Sequence, residues 1–279
     1  MKEVVIDAVL DSVRMLPFLF GAFCIIEILE RYSEVRRDKM LMKFRNAGPV
    51  IGALFGCIPQ CGFSVVAANL YSGGVITVGT LLSVFMSTSD EAILIMLGYP
   101  ESGGMVIRLI LVKVMLAVAV GYIIDLFFKN NFGISKEIHK LCDKSGCGCE
   151  ENHGVVRGAI WHTARIFIYI LIFTICLNVG LEWIGIKKIQ TLLLKGSVFQ
   201  SFLTAFIGLI PNCASSVLLA ELYMQGIVGF AAAVAGLSAS AGLGLVVLFK
   251  VNQNQKENFK ILGLLYASSV MLGIFLSIV

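Results

Sequence analysis

The sequence predicts an all-α polytopic membrane protein made of two inverted repeats, each with three spanning helices plus a re-entrant or broken-helix hairpin. Three observations carry this: an apolar composition, apolar windows of spanning length, and a segment that occurs twice. Of the 279 residues, 58% are hydrophobic and 14% charged, with a mean hydropathy of +0.90. A soluble domain carries roughly 25% charged residues. The balance excludes a soluble enzyme, a nucleic-acid binder and a disordered scaffold. The net charge of +4 then reads as loop bias, not as attraction to nucleic acid.

A helix needs about 20 apolar residues to cross the bilayer. Apolar windows run over 4–29, 47–71, 74–98, 104–128, 155–180, 196–224, 226–249 and 258–279. The first holds Asp7, Asp11 and Arg14 and no small-residue cleavage site, so no cleavable signal peptide is expected. The connectors 30–46, 129–157 and 250–260 are rich in Lys and Arg. By the positive-inside rule all three face the cytoplasm. Eight plain crossings cannot achieve that. Re-entrant hairpins at 47–71 and 196–224 can, with both termini outside; the plain eight-span arrangement is the competing reading. The expected organisation is a first transmembrane repeat at 1–130, a cytoplasmic Cys/His-rich linker at 131–154 and a second repeat at 155–279, in a multi-pass protein of the plasma membrane.

The hairpin windows match at Gly56/Gly208, Ile58/Ile210, Pro59/Pro211, Cys61/Cys213, Ser64/Ser216, Val65/Val217, Ala68/Ala220, Leu70/Leu222, Tyr71/Tyr223 and Gly74/Gly226. Chance would give roughly one or two such matches. Val4, Val5, Ala8 and Arg14 likewise match Val155, Val156, Ala159 and Arg165. An odd number of crossings per unit inverts the second unit. Inverted repeats with broken helices are the architecture of many secondary transporters, with the binding site at the midplane where the repeats meet.

Pro59 and Pro211 break their helices, because proline lacks an N–H and clashes with the preceding turn. Each break carries an amide and a thiol, Gln60–Cys61 and Asn212–Cys213. Irregular backbone at membrane depth survives only when buried in protein or lining a wet cavity. The blander reading is a proline kink with a buried cysteine. A second interruption follows in each half. The first is Ser87-Thr88-Ser89-Asp90-Glu91; its partner is Ser238-Ala239-Ser240-Ala241-Gly242, which has no acid. Ionisable groups within a span default to a functional reading. Asp90 and Glu91 are the candidate coupling groups. Lys113, near mid-depth of window 104–128, is the obvious counter-ion; a structural Asp–Lys pair is the plainer alternative. Asn69 and Glu221 end the hairpins, where a headgroup-level position would explain them. Arg14 and Arg165 read as structural, Cys24, Cys57 and Cys176 as core, and Trp161, Trp183 and Tyr99 as interfacial belts.

Of the eight cysteines, most lie inside apolar spans, so no secreted disulfide framework is expected. The linker spaces His139, Cys142, Cys147, Cys149 and His153 as His-x2-Cys-x4-Cys-x-Cys-x3-His. Thiolates and imidazoles this dense suit Zn²⁺, Cu(I) or a similar soft ion, though not at a zinc-finger spacing. No resident cofactor is otherwise required.

The repeated Ile-Pro-Gln/Asn-Cys motif, the Ser-Thr-Ser-Asp-Glu segment and the Cys/His-rich linker together resemble the ten-transmembrane heavy-metal exporter family, whose members are labelled arsenic efflux proteins or manganese transporters. The resemblance covers most of the chain and implies a secondary-active exporter of a heavy metal or metalloid, Mn²⁺ or an arsenic species. Ten segments result if each hairpin is scored as two. The substrate-binding candidates are Gln60, Cys61, Ser87, Thr88, Ser89, Asp90, Glu91, Asn212, Cys213, Ser238 and Ser240, with Asp90, Glu91 and Lys113 for coupling. Oxygen ligands suit Mn²⁺ and the two thiols suit arsenite. There is no Walker motif, so a proton or other ion gradient would supply the energy. The expected partners are the lipid bilayer, the metal or metalloid substrate and that gradient; no nucleic acid is expected, and a homo-oligomer is compatible. A passive ion channel, or a small-solute permease unrelated to metals, is the alternative. No enzymatic motif such as His-Glu-x-x-His or a nucleophile elbow is present.

Overall fold

The computed structural model describes residues 17, 20–21, 47–58, 62–88, 92–99, 103–127, 160, 163–164, 167–168, 171–172, 175 and 198–278. Among these, all regular structure is helical. In chain order the helices are α1 (Ala47–Gly56), α2 (Gly62–Ser72), α3 (Val78–Ser87), α4 (Ala92–Leu97), α5 (Gly103–Phe127), α6 (Val198–Gly208), α7 (Cys213–Met224), α8 (Phe230–Ala239), α9 (Leu243–Val251) and α10 (Gln255–Ile278). Two short helices thus occupy each expected hairpin window. Two more, separated by the polar interruption, occupy each following window. A long helix closes each series. The order short, short, short, short, long occurs twice, at the spacing that relates Gly56 to Gly208.

At 1.5 Å per residue, α1 and α2 reach about 15 Å, half of a ~30 Å hydrocarbon core, whereas α5 and α10 reach about 36 Å. Among the described residues, four stretches are long and apolar enough to cross a membrane: Val78–Leu97, Gly103–Phe127, Phe230–Val251 and Gln255–Ile278. α5 and α10 turn Leu111, Met115, Leu126, Met271 and Phe275 outward. An apolar face of that size is expected against lipid. α3 is buried along its whole length, and α8 is buried from Ala232 to Ala239.

The fold-back of each short pair follows from close packing. Gly48, Gly52 and Gly56 lie one turn apart along α1. A Cβ at Gly48 would fall 2.2 Å from Thr80 Oγ1, and one at Gly56 would fall 2.1 Å from Ser87 Oγ. α1 therefore runs alongside α3 and in the same direction. Since α2 leaves the end of α1 and delivers the chain to the start of α3, it retraces α1. The second series does likewise: Thr204 Oγ1 donates to Ala232 O at 2.7 Å, and a Cβ at Gly208 would fall 2.1 Å from Gly236 O. Small residues permit this approach, as in helix pairs within membranes.

Both retracing helices stop in the same manner. Gly74 N donates to Tyr71 O and Val75 N to Leu70 O, while Gly226 N donates to Tyr223 O and Ile227 N to Leu222 O. These are Schellman closures. They require a left-handed residue, and Gly74 (φ 71°) and Gly226 (φ 70°) supply it. Asn69, expected at headgroup level, is instead buried, with Nδ2 donating to Val65 O at 2.9 Å. It lies a turn short of the helix end, and its Oδ1 has no hydrogen-bond partner among the described residues. Cys57, expected in the core, is only half-buried because α1 ends there. Glu221 is exposed.

α3 is anchored at its start by Thr77, whose Oγ1 accepts from Thr80 N. Asp125, from the far end of α5, accepts from Gly79 N at 2.9 Å and from Thr77 Oγ1 at 2.7 Å. A carboxylate at a helix N-terminus satisfies orphan donors and opposes the helix dipole. α5 runs antiparallel to α3, since Ser83 Oγ reaches Ala117 O and Lys113 Nζ reaches Thr88 O.

The two series interlock. α2 packs on α9, and α4 packs on α7. Tyr71, ending α2, donates to Glu257 at the start of α10. Its counterpart Tyr223, ending α7, contacts Met105 Sδ at the start of α5 at 3.6 Å.

Candidate functional site

The ends of two helices, one from each series, approach one another around one buried amine. α3 ends at Ser87, and Thr88 leaves the helix at φ −57°, ψ 132°. α8 ends at Ala239, and the chain turns through Ser240 and through Gly242 at φ 53°, ψ −144°. Gly242 is again left-handed, where a Cβ would be strained. Lys113 projects from α5 into this region. It is 1% exposed, and Nζ donates to Thr88 O at 2.7 Å and to Leu237 O at 2.8 Å. One side chain thus joins the C-terminal ends of a helix from each series. The last carbonyls of a helix have no intrahelical donor and carry partial negative charge, so a cation is favoured there. Gly244, just past the α8–α9 break, is packed so closely on α2 that a Cβ would fall 2.7 Å from Ser64 Cβ.

The sequence candidates are distributed over this region unevenly. Ser87 and Thr88 are buried, and both hydroxyls donate to Val84 O, at 3.0 and 2.7 Å. Asn212 is buried and N-caps α7, its Oδ1 accepting from Ala214 N at 3.3 Å. The amide offered as a ligand therefore has a capping role, which follows from Pro211 ending one helix immediately before another begins. Cys213 is buried at the first turn of α7. Ser238 and Ser240 are buried on either side of the α8 terminus. The Ser240 hydroxyl has no hydrogen-bond partner. Pro59, Gln60, Cys61, Ser89, Asp90 and Glu91 lie outside the described residues, as do Arg14, Arg165 and the linker residues His139, Cys142, Cys147, Cys149 and His153. Among the described residues no group of three His, Cys, Asp or Glu side chains could hold a metal ion.

Sequence reasoning missed three features. The partners of Lys113 include main-chain carbonyls, which carry no sequence signal beyond the helix break itself. Asp125 was not singled out, although an acid near the end of a span can find a helix N-terminus. The reciprocal tyrosine contacts were hidden in plain view as the matched pair Tyr71/Tyr223.

The family described as "Putative, 10TM heavy-metal exporter" matches residues 2–184. The match takes in the first series, the linker and the opening of the second half, and stops short of α6. No curated protein and no solved structure matches the chain. With about two thirds of its length matched, the chain belongs to the ten-transmembrane heavy-metal exporter family.

Proposed function

We propose that the protein is a secondary-active exporter that carries a heavy metal or metalloid, Mn²⁺ or an arsenic species, through a site between two inverted repeats in the plasma membrane. The observation that carries this reading is the meeting of the α3 and α8 C-termini at Lys113. Broken helices that present carbonyls and N–H groups at the middle of the molecule are how transporters of this architecture hold ions.

Inversion is supported by the ends at which matching residues sit. Asp125, at the C-terminus of α5, meets the start of α3. The end of α2, with Tyr71, lies at that same end of the molecule. Tyr223, the counterpart of Tyr71, meets Met105 at the N-terminus of α5, one span length away. Two units whose equivalent tyrosines lie at opposite ends of one spanning helix are related by inversion, and alternating access follows as rocking of one unit against the other.

The chemistry divides between the halves. The interruption of the first half has Asp90 and Glu91, and that of the second has none. Proton or cation exchange is thus assigned to Asp90 and Glu91, and cargo contact to these acids together with Gln60, Cys61, Ser87, Thr88, Ser89, Asn212, Cys213, Ser238 and Ser240. The linker residues His139, Cys142, Cys147, Cys149 and His153 form a separate cytoplasmic site for a soft metal. Everted vesicles with an imposed proton gradient provide the test. Uptake of Mn²⁺ or arsenite that a protonophore collapses is expected. Uptake indifferent to the protonophore would establish a passive pore instead.

A further inference from the structure

The two tyrosine contacts are one contact made twice. At the spacing that relates Gly56 to Gly208, Tyr71 answers to Tyr223 and Met105 to Glu257. Tyr71 of the first series donates to Glu257 of the second, and Tyr223 of the second donates to Met105 Sδ of the first at 3.6 Å. Exchanging the series therefore carries one contact onto the other. Each ties the end of a retracing helix, α2 or α7, to the first turn of the long helix in the opposite series, α10 or α5. The contacts lie at opposite ends of the molecule. Met105 is at the N-terminal end of α5, whereas Asp125, at its C-terminal end, meets the start of α3, which Tyr71 precedes through the Gly74 turn. Between them, Lys113 joins the ends of α3 and α8.

Equivalent places carry unlike chemistry. At the Tyr71 end, Glu257 is also part of the cap of α10: Asn254 Oδ1 accepts from Glu257 N at 3.4 Å, and Asn254 Nδ2 donates to Glu257 Oε2 at 3.1 Å. This reciprocal arrangement, in the manner of a capping box, fixes the carboxylate that receives Tyr71. At the Tyr223 end, the Tyr223 ring lies 6.2 Å from that of Phe230, and Arg108, one turn along α5 from Met105, sits 5.0 Å over the Phe230 ring. A cation over a ring face is attracted to it. Arg108 answers to Lys260 and Phe230 to Val78, so that second contact has no twin.

Rocking of one series against the other about the level of Lys113 strains both contacts in opposite senses. Met105 precedes Lys113 on α5 by eight residues, about 12 Å of helix. A rotation of about 10°, ordinary for a rigid-body transition, moves the contact by about 2 Å, enough to part a hydrogen bond. We propose that the two tyrosine pairs are the gates of the transport cycle: Tyr71 on Glu257 closes one end, Tyr223 on Met105 with Arg108 on Phe230 closes the other, and one opens while the other stays made. The connector with Lys250, Lys256 and Lys260 adjoins the Tyr71 end, which makes that gate the inner one by the positive-inside rule. This assignment rests on the exporter reading.

The test reads one end while altering the other. Val106, 2% exposed, lies beside the outer contact in the same apolar cluster as Leu222 and Phe230. Val106→Cys in an otherwise cysteine-free protein reports opening of that end by its rate of reaction with a water-soluble maleimide. Tyr71→Phe deletes only the hydroxyl that holds the inner end. A hydrogen bond to a charged group is worth about a factor of ten or more, so inner-open states gain by that factor and the distant Val106→Cys thiol should react about tenfold more slowly. A merely structural contact predicts the opposite sign, because loosening the fold exposes a buried thiol. Gel filtration checks folding; where Tyr71→Phe fails to fold, Glu257→Gln, which keeps an acceptor and weakens the bond, should slow the reaction in the same direction. Unchanged or faster labelling would overturn the gates. Slowed labelling in a protein whose vesicles move no metal or metalloid would keep the gates and remove the exporter reading. Protonophore-sensitive uptake of Mn²⁺ or arsenite with unchanged labelling in Tyr71→Phe would do the reverse.

Discussion

A buried ammonium is tolerable only when it is hydrogen-bonded, and Lys113 has the Thr88 and Leu237 carbonyls at 2.7 and 2.8 Å. Those two bonds bear on Asp90, two positions beyond Thr88 in the chain. Asparagine is nearly isosteric with aspartate and removes only the charge, so Asp90→Asn should fold and reach the membrane, giving a single symmetric peak in gel filtration. If Asp90 handles the coupling proton, efflux should fall by about a hundredfold or more. The opposite pattern is equally readable. A folded yield that collapses in Asp90→Asn and recovers on adding Lys113→Met would make Asp90 the counter-ion, because a stranded buried charge costs about 3–5 kcal/mol.

At the scale of helices, the short elements are held by contact distance. α1 meets α3 through Gly56, where a Cβ would lie 2.1 Å from Ser87 Oγ and 2.6 Å from Val84 O. Gly56→Val should therefore separate α1 from α3 and sharply lower the yield of folded protein, an overpacking cost of about 1–3 kcal/mol or more. Gly103→Ala, with nothing within 4 Å, should be silent in the same thermal-stability assay. Asp125→Ala tests the other end of α3. Loss of a carboxylate that accepts from Gly79 N and Thr77 Oγ1 should cost about 1 kcal/mol, as loss of a helix cap does, and lower the melting temperature without altering metal binding.

For the whole molecule, the fold-back of α1 on α2 and of α6 on α7 decides which loops share a side of the membrane. In a cysteine-free background, single cysteines at Ser102 and Lys187 should react with an impermeant maleimide added outside intact cells. Cysteines at Lys39 and Lys136 should not. External labelling at Lys136 would require the plain eight-span arrangement, which the parallel course of α1 and α3 opposes. The two series also interlock through equivalent tyrosines, Tyr71 on Glu257 and Tyr223 on Met105.

Composition and repetition made the membrane class, the helix breaks and the duplicated order of elements legible in the sequence. Those features arise from local physics: hydropathy sets where spans lie, proline and glycine set where helices stop, and matched residues repeat both. Pro211 and Gly226 end or turn their helices whatever surrounds them. The partners across the molecule were not legible. Lys113 could be recognised as a buried cation, but its carbonyl partners come from α3 and from α8, far apart in the chain. Nor could the different fates of Thr88 and Ser240 be foreseen from two similar hydroxyl residues at matched positions. Main-chain carbonyls are the same at every residue, so only the tertiary approach of two helix ends decides which of them become a site.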